Sequence, residues 1–168
     1  PKMIQLKEFI KAYAKELKGD INAVQACGVE FNSQLVTKDQ IFFAFRGEHS
    51  DGHDYLQDAK KKGACLAVVD RLCDVDIAQI CVDDTYDAIY QLAKLQRGGW
   101  ENKKVIALTG SVGKTSCKEI LKQLFENLGK THATSGNYNN KLGLSHTILN
   151  TAKDVEYVIL ELGISEAG

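Results

Sequence analysis

The octapeptide Thr109-Gly110-Ser111-Val112-Gly113-Lys114-Thr115-Ser116 has the residue types and spacing of a phosphate-binding loop. It follows the apolar run Lys104 to Thr109 and opens the helix-like run Lys114 to Leu128, and a strand before and a helix after are the setting such a loop needs. Gly110 and Gly113 permit a tight turn that brings backbone N–H groups up to phosphate oxygens. The helix N-terminus adds about half a positive charge at the same point. Lys114 supplies a full charge for β- and γ-phosphates, and the Thr115 hydroxyl suits Mg²⁺. Position 108 is Leu, and Gly110 is the first glycine before Gly113, so the loop is shorter than the Gly-x-x-x-x-Gly-Lys form of GTPases and general ATPases.

Two further groups stand where partners of such a loop belong. Gly136-Asn137-Tyr138-Asn139-Asn140-Lys141-Leu142-Gly143 reads as a polar loop after a short strand at Thr131 to Ala133. Its amides suit phosphate or substrate oxygens, and equally an ordinary asparagine-rich turn. Glu161 ends the strand Tyr157-Val158-Ile159-Leu160, which puts its carboxylate at the carboxyl edge of a sheet, where ligands bind. From position alone a second Mg²⁺ contact and a solvated strand-end acid are both open. His49 and His53 stand four apart, but Gly47, Ser50 and Gly52 mark a loop rather than a helical pair, so no metal site is expected there.

The elements that must position these groups follow from hydrophobic period and punctuation. Leu6, Phe9, Ile10, Tyr13, Ala14 and Leu17 predict a helix over residues 3–17, closed by Gly19. Val29 to Val36 reads as a strand, Thr37 to Gln40 as a turn, Ile41 to Phe45 as a strand and His53 to Lys62 as a helix stopped by Gly63. Ala64 to Val69 and Ile80 to Val82 read as strands, and Thr85 caps a helix reaching Arg97. Gly98 to Lys103 reads as a linker, so residues 1–99 are expected to form one domain and 100–168 the beginning of a second. The fold class is α/β: a small α/β domain, then the first part of a phosphate-loop domain with a mostly parallel sheet. A complete sheet of that type needs more chain, so the sequence reads as a fragment.

Lys plus Arg number 21 against 22 Asp plus Glu, which leaves no basic field to hold nucleic acid. Lys60-Lys61-Lys62 is a short run at a helix end, where cations complement the dipole. No apolar run approaches the ~20 residues that span a bilayer, and no membrane partner is expected. Five cysteines, an odd number without a Cys-x-x-Cys pair, read as reduced thiols in a cytoplasmic protein.

The loop Thr109 to Ser116, the segment Gly136 to Gly143 and Glu161-Leu162-Gly163 together resemble the Mur ligases, ATP-dependent amide-bond-forming enzymes of bacterial cell-wall precursor synthesis. Gln40 to Gly47, Asp51-Gly52-His53 and Gly63-Ala64 look like that family's UDP-binding N-terminal domain, so the resemblance covers nearly the whole chain. Where the family has Asp-Ser-Arg this chain has Asn32-Ser33-Gln34, which leaves Ser33, with Arg46, as the substrate-contact candidates. The resemblance implies ATP and Mg²⁺ as cofactors, with Thr109, Gly110, Ser111, Val112, Gly113, Lys114, Thr115, Ser116, Asn139 and Asn140 around the nucleotide. It implies catalytic roles for Lys114 and Glu161, with Thr115 and Glu161 on the metal. The branch it resembles phosphorylates the terminal carboxylate of UDP-N-acetylmuramoyl-tripeptide and lets the amine of D-alanyl-D-alanine displace the phosphate, acting as a monomer. The family's carbamylated lysine, its histidine and the domain that brings the amine have no counterpart here, so this chain alone is expected to be inactive. The competing readings are a ligase that adds the third peptide residue, a folylpolyglutamate synthetase-like enzyme, and a non-catalytic ATP-binding module. The 137–143 segment and Leu162-Gly163 stand against the first two.

Overall fold

A computed structural model of the chain describes residues 4, 6–136 and 138–163. Five strands, β1 (Glu16–Lys18), β2 (Gly28–Glu30), β3 (Gln40–Phe43), β4 (Leu66–Val69) and β5 (Ala78–Cys81), form a sheet of order β1-β5-β4-β3-β2. β2 to β5 are parallel and β1 is an antiparallel edge. Alternation divides the apolar strands between two buried faces. Ile41, Phe43, Leu66 and Val68 face α1 (Leu6–Tyr13) and α3 (Thr85–Gly98), while Phe42, Ala67 and Val69 face α2 (Leu56–Lys62).

The helix expected over 3–17 stops at Tyr13, and residues 3 and 5 of that stretch lie outside the described ones. Beyond it the Lys15 N–H bonds to the Cys81 carbonyl, and Glu16 to Lys18 pair with the open edge of β5. Ladder bonds to an otherwise unpaired strand outweigh another helical turn. Gly19 therefore turns the chain after a strand instead of capping a helix. The strand expected over 29–36 shortens to β2 because the Glu30 carboxylate accepts from the N–H groups of Phe31 and Asn32, and Asn32 in turn accepts from Gln34. These local side-chain bonds replace the ladder and make 32–35 a turn.

The second sheet contains β6 (Lys104–Leu108), β7 (Thr131–Ala133) and β8 (Tyr157–Glu161), all parallel, in the order β6-β8-β7. α4 (Lys114–Glu126) joins β6 to β7, and α5 (Lys141–Asn150) lies between β7 and β8. Right-handed crossovers that run in opposite directions place these two helices on opposite faces. α5 packs on α3 and β2, so Leu149, Val158 and Leu160 join the same apolar core as Ile41 and Leu66. The polar loop expected over 136–143 thus ends at Asn140, where α5 begins. α4 leaves Ile120 and Leu124 exposed, and it ends at Glu126, short of the Leu128 expected, which is exposed in the turn that follows. No helix among the described residues is long and apolar enough to cross a membrane.

Candidate nucleotide and metal site

β6 delivers the chain to the loop at Leu108, and α4 takes it up at Lys114. Gly113 lies at φ +77°, a left-handed conformation that costs other residues roughly 1–2 kcal/mol. It caps α4 without a side-chain hydrogen bond, so the first-turn N–H groups remain for an anion. Thr109, Ser111, Val112 and Ser116 are exposed around this opening. Lys114 Nζ donates to the Gly110 carbonyl at 2.5 Å, which keeps the ammonium within the loop itself.

Glu161 closes β8 beside this helix end and is 1% exposed. Thr115 Oγ1 donates toward its two carboxylate oxygens at 3.2 and 3.3 Å, and Asn139 Nδ2 donates to Oε1 at 3.3 Å. Lys118 Nζ stands 3.4 Å from Oε2. Four contacts converge on one buried carboxylate, yet none reaches the roughly 2.7–2.9 Å of a tight charge-assisted bond. A carboxylate and a hydroxyl side by side, loosely held by their other partners, form the hard oxygen set that Mg²⁺ takes. The residues therefore fit that ion.

The segment before α5 is tied to the same carboxylate. Asn139 uses its side chain on Glu161 and its carbonyl to accept the Gly163 N–H at 2.7 Å. A Cβ at Gly143 would fall 2.5 Å from Tyr138 Cα, so only glycine lets α5 start this close beneath the loop. Asn140 accepts the Gly143 N–H at 2.8 Å as the cap of α5. Of the two asparagines expected near nucleotide, Asn139 faces Glu161 and Asn140 serves the helix. Asn137 lies outside the described residues.

A separate cleft of about 420 Å³ in the first sheet's half is lined by Phe31, Ser33, Phe45, Ser50, Tyr55 and Tyr86, among others. Phe45 stacks on Tyr86 with ring centres 4.2 Å apart. Ser33 is buried in the wall of this cleft. Arg46 is engaged elsewhere, in a two-pronged pair with Asp70 at 2.8 and 2.9 Å. Beside it His53 Nε2 stands 3.2 Å from both the backbone nitrogen and Oδ1 of Asp70, and its Nδ1 lies 2.5 Å from Asp51 Oδ1. Burial works against ionising Asp51, but hydrogen bonds from Arg71 and from His53 outweigh it and hold the carboxyl well below its ordinary range. All five cysteines are free thiols, and burial pushes Cys65 up to about 11.

Residues 26–97 match the catalytic domain of the Mur ligase family, and residues 108–168 match the Mur ligase middle domain. The chain belongs to the Mur ligase family. This Mur ligase chain is 42% identical over 151 residues to the UDP-N-acetylmuramoyl-tripeptide–D-alanyl-D-alanine ligase of Rickettsia prowazekii, covering 88% of itself and 33% of that relative. A crystal structure of MurF from Acinetobacter baumannii matches all of the chain with a TM-score of 0.84 at 34% identity, over 36% of that structure. The MurF ligase from Thermotoga maritima, in complex with ADP, matches 84% of the chain with a TM-score of 0.69 at 34% identity, over 33% of its own length. The chain spans about a third of the length of the relatives it matches.

The residue that sequence reasoning missed in this Mur ligase chain is Lys118. It stands one turn beyond Lys114 on the same helix face, with Leu121 and Phe125 continuing the stripe toward the sheet. A lysine in register with the inward positions of an amphipathic helix was the available signal.

Proposed function

We propose that this chain is the N-terminal part of a MurF-type ligase. The whole enzyme would use MgATP to join D-alanyl-D-alanine to UDP-N-acetylmuramoyl-tripeptide through an acyl phosphate, as a cytoplasmic monomer. The observation that carries the reading is the convergence of Thr115 and Glu161 at the carboxyl ends of β6 and β8, beneath the uncapped N-terminus of α4. The names of the curated relatives and the ADP complex of the Thermotoga maritima relative support it. The free thiols fit a reducing compartment.

In this reading the α4 N–H groups and the glycine loop hold the nucleotide phosphates, while Lys114 leaves the Gly110 carbonyl to neutralise charge on the transferring group. Thr115 and Glu161 would hold Mg²⁺, which would supply a Lewis acid for the γ-phosphoryl group. Asn139 orients Glu161, and the Ser33 cleft receives the UDP-linked substrate with its aromatic floor beneath the base. Titration of ATP into the chain with Mg²⁺ and with EDTA tests the nucleotide part. Binding should require Mg²⁺ and weaken roughly tenfold to a hundredfold in Lys114→Ala, the range expected for hydrogen bonds to a charged group. Unchanged affinity in Lys114→Ala would remove the loop from the mechanism.

A further inference from the structure

We propose that Lys118 is a positioning residue that stands in for the divalent cation at Glu161, holding that carboxylate and Gly136 in place before metal and nucleotide bind. The inference rests on Glu161 being a metal ligand.

Lys118 is the one lysine among the described residues whose side chain is fully buried. Burying an ammonium is costly without compensation, so what surrounds it matters. Its Nζ donates to the Gly136 carbonyl at 3.3 Å and stands 3.4 Å from both Glu161 Oε2 and Glu119 Oε1. Glu119 is 54% exposed and largely solvated, whereas the Glu161 side chain is 2% exposed. The effective counter-charge is therefore Glu161.

The contact links three elements: α4, the loop that presents Asn139, and the end of β8. Its length also leaves Glu161 available. At 3.4 Å the ammonium compensates charge without a tight bond, whereas Mg²⁺ takes carboxylate oxygen at about 2.0–2.1 Å. An arriving cation therefore displaces a weak partner. The two lysines of α4 divide the work, Lys114 lying toward the phosphate side and Lys118 toward the carboxylate.

A purely structural lysine and a cation surrogate differ in one measurable respect, the response to metal without nucleotide. The thermal midpoint of the chain is measured in EDTA and in Mg²⁺, and Mn²⁺ affinity is measured by electron paramagnetic resonance. Lys118→Met keeps the stem and removes the charge. It should lower the midpoint in EDTA, recover more of it in Mg²⁺ than the wild type gains, and bind Mn²⁺ at least about tenfold more tightly, because a like charge beside the ligand is gone. Equal Mg²⁺ increments and equal Mn²⁺ affinities in the two proteins would overturn the proposal. Should Lys118→Met fail to fold, Lys118→Gln retains a donor for the Gly136 carbonyl and is read by the same comparison. Glu161→Gln separates the layers. Mn²⁺ affinity indifferent to Glu161→Gln overturns the metal reading and this inference with it, whereas affinity lost in Glu161→Gln but unmoved in the Lys118 variants overturns this inference alone.

Discussion

Replacing Asn150 by alanine should weaken the whole chain, because one side chain ties α5, which packs on the second sheet, to the edge of the first. Asn150 Oδ1 accepts the Val29 N–H at 3.1 Å, and Asn150 Nδ2 donates to the Val29 carbonyl at 2.9 Å. The amide thereby acts as a one-residue strand on the free edge of β2, at a position where Val29 is fully buried. Nδ2 also donates to the His146 carbonyl at 2.9 Å, which fixes the rotamer. Alanine strands a donor and an acceptor, each worth about 1–3 kcal/mol when left unpaired. Water reaching the half-buried site recovers part of this, so about 2–4 kcal/mol is expected. Unfolding entropy near 2.1 cal/mol/K per residue gives about 0.35 kcal/mol/K for a chain of this size, hence a midpoint lower by roughly 6–11 °C. Urea denaturation with an unchanged slope and a thermal melt would measure it. Asn150→Asp keeps the acceptor and sets a carboxylate against the Val29 carbonyl, so it should fall at least as far. A drop under about 2 °C in both variants would refute the role given to this clamp.

Other perturbations separate strain, charge and cleft. Gly113→Ala meets nothing within 4 Å, so its cost is backbone strain alone, about 1–2 kcal/mol, and it should also weaken ATP binding by turning the first-turn N–H groups. A calorimetric titration with unchanged affinity would contradict this. The Asp51 carboxyl is depressed in the folded state, so its contribution to stability is complete above the ordinary carboxylate range and lost as pH falls below it. Asp51→Asn should therefore be less stable at neutral pH and lose less on acidification. Parallel acid limbs in melts from pH 7 to pH 3 would count against that sign. Ser33→Leu should reduce binding of UDP-N-acetylmuramoyl-tripeptide and leave ATP binding intact, and equal binding of the UDP substrate would dismiss the cleft.

The phosphate loop was legible because its chemistry is local: Gly113 to Thr115 must sit between a strand and a helix to work at all. Glu161 was legible as a strand-end acid, but its burial among Thr115, Lys118 and Asn139 was not, since those contacts join residues 22 to 46 positions apart. α5 escaped because it is enclosed between two sheets and carries no polar stripe, so no helical period marks it. The first helix was drawn too long because Leu17 continues its apolar spacing, while the competing partner is the edge of β5, over sixty residues away. The pairing of Arg46 with Asp70 was not legible, because nothing nearby in sequence marks two residues 24 positions apart as partners.

The most direct test of the central claim uses the full-length protein that carries this chain. Phosphate release from MgATP is measured with UDP-N-acetylmuramoyl-tripeptide, comparing D-alanyl-D-alanine with diaminopimelate and lysine as the amine. Release that requires the dipeptide and vanishes in Lys114→Ala is the predicted result. A folded, ATP-binding protein that releases no phosphate with the dipeptide, or prefers either amino acid, would contradict the assignment.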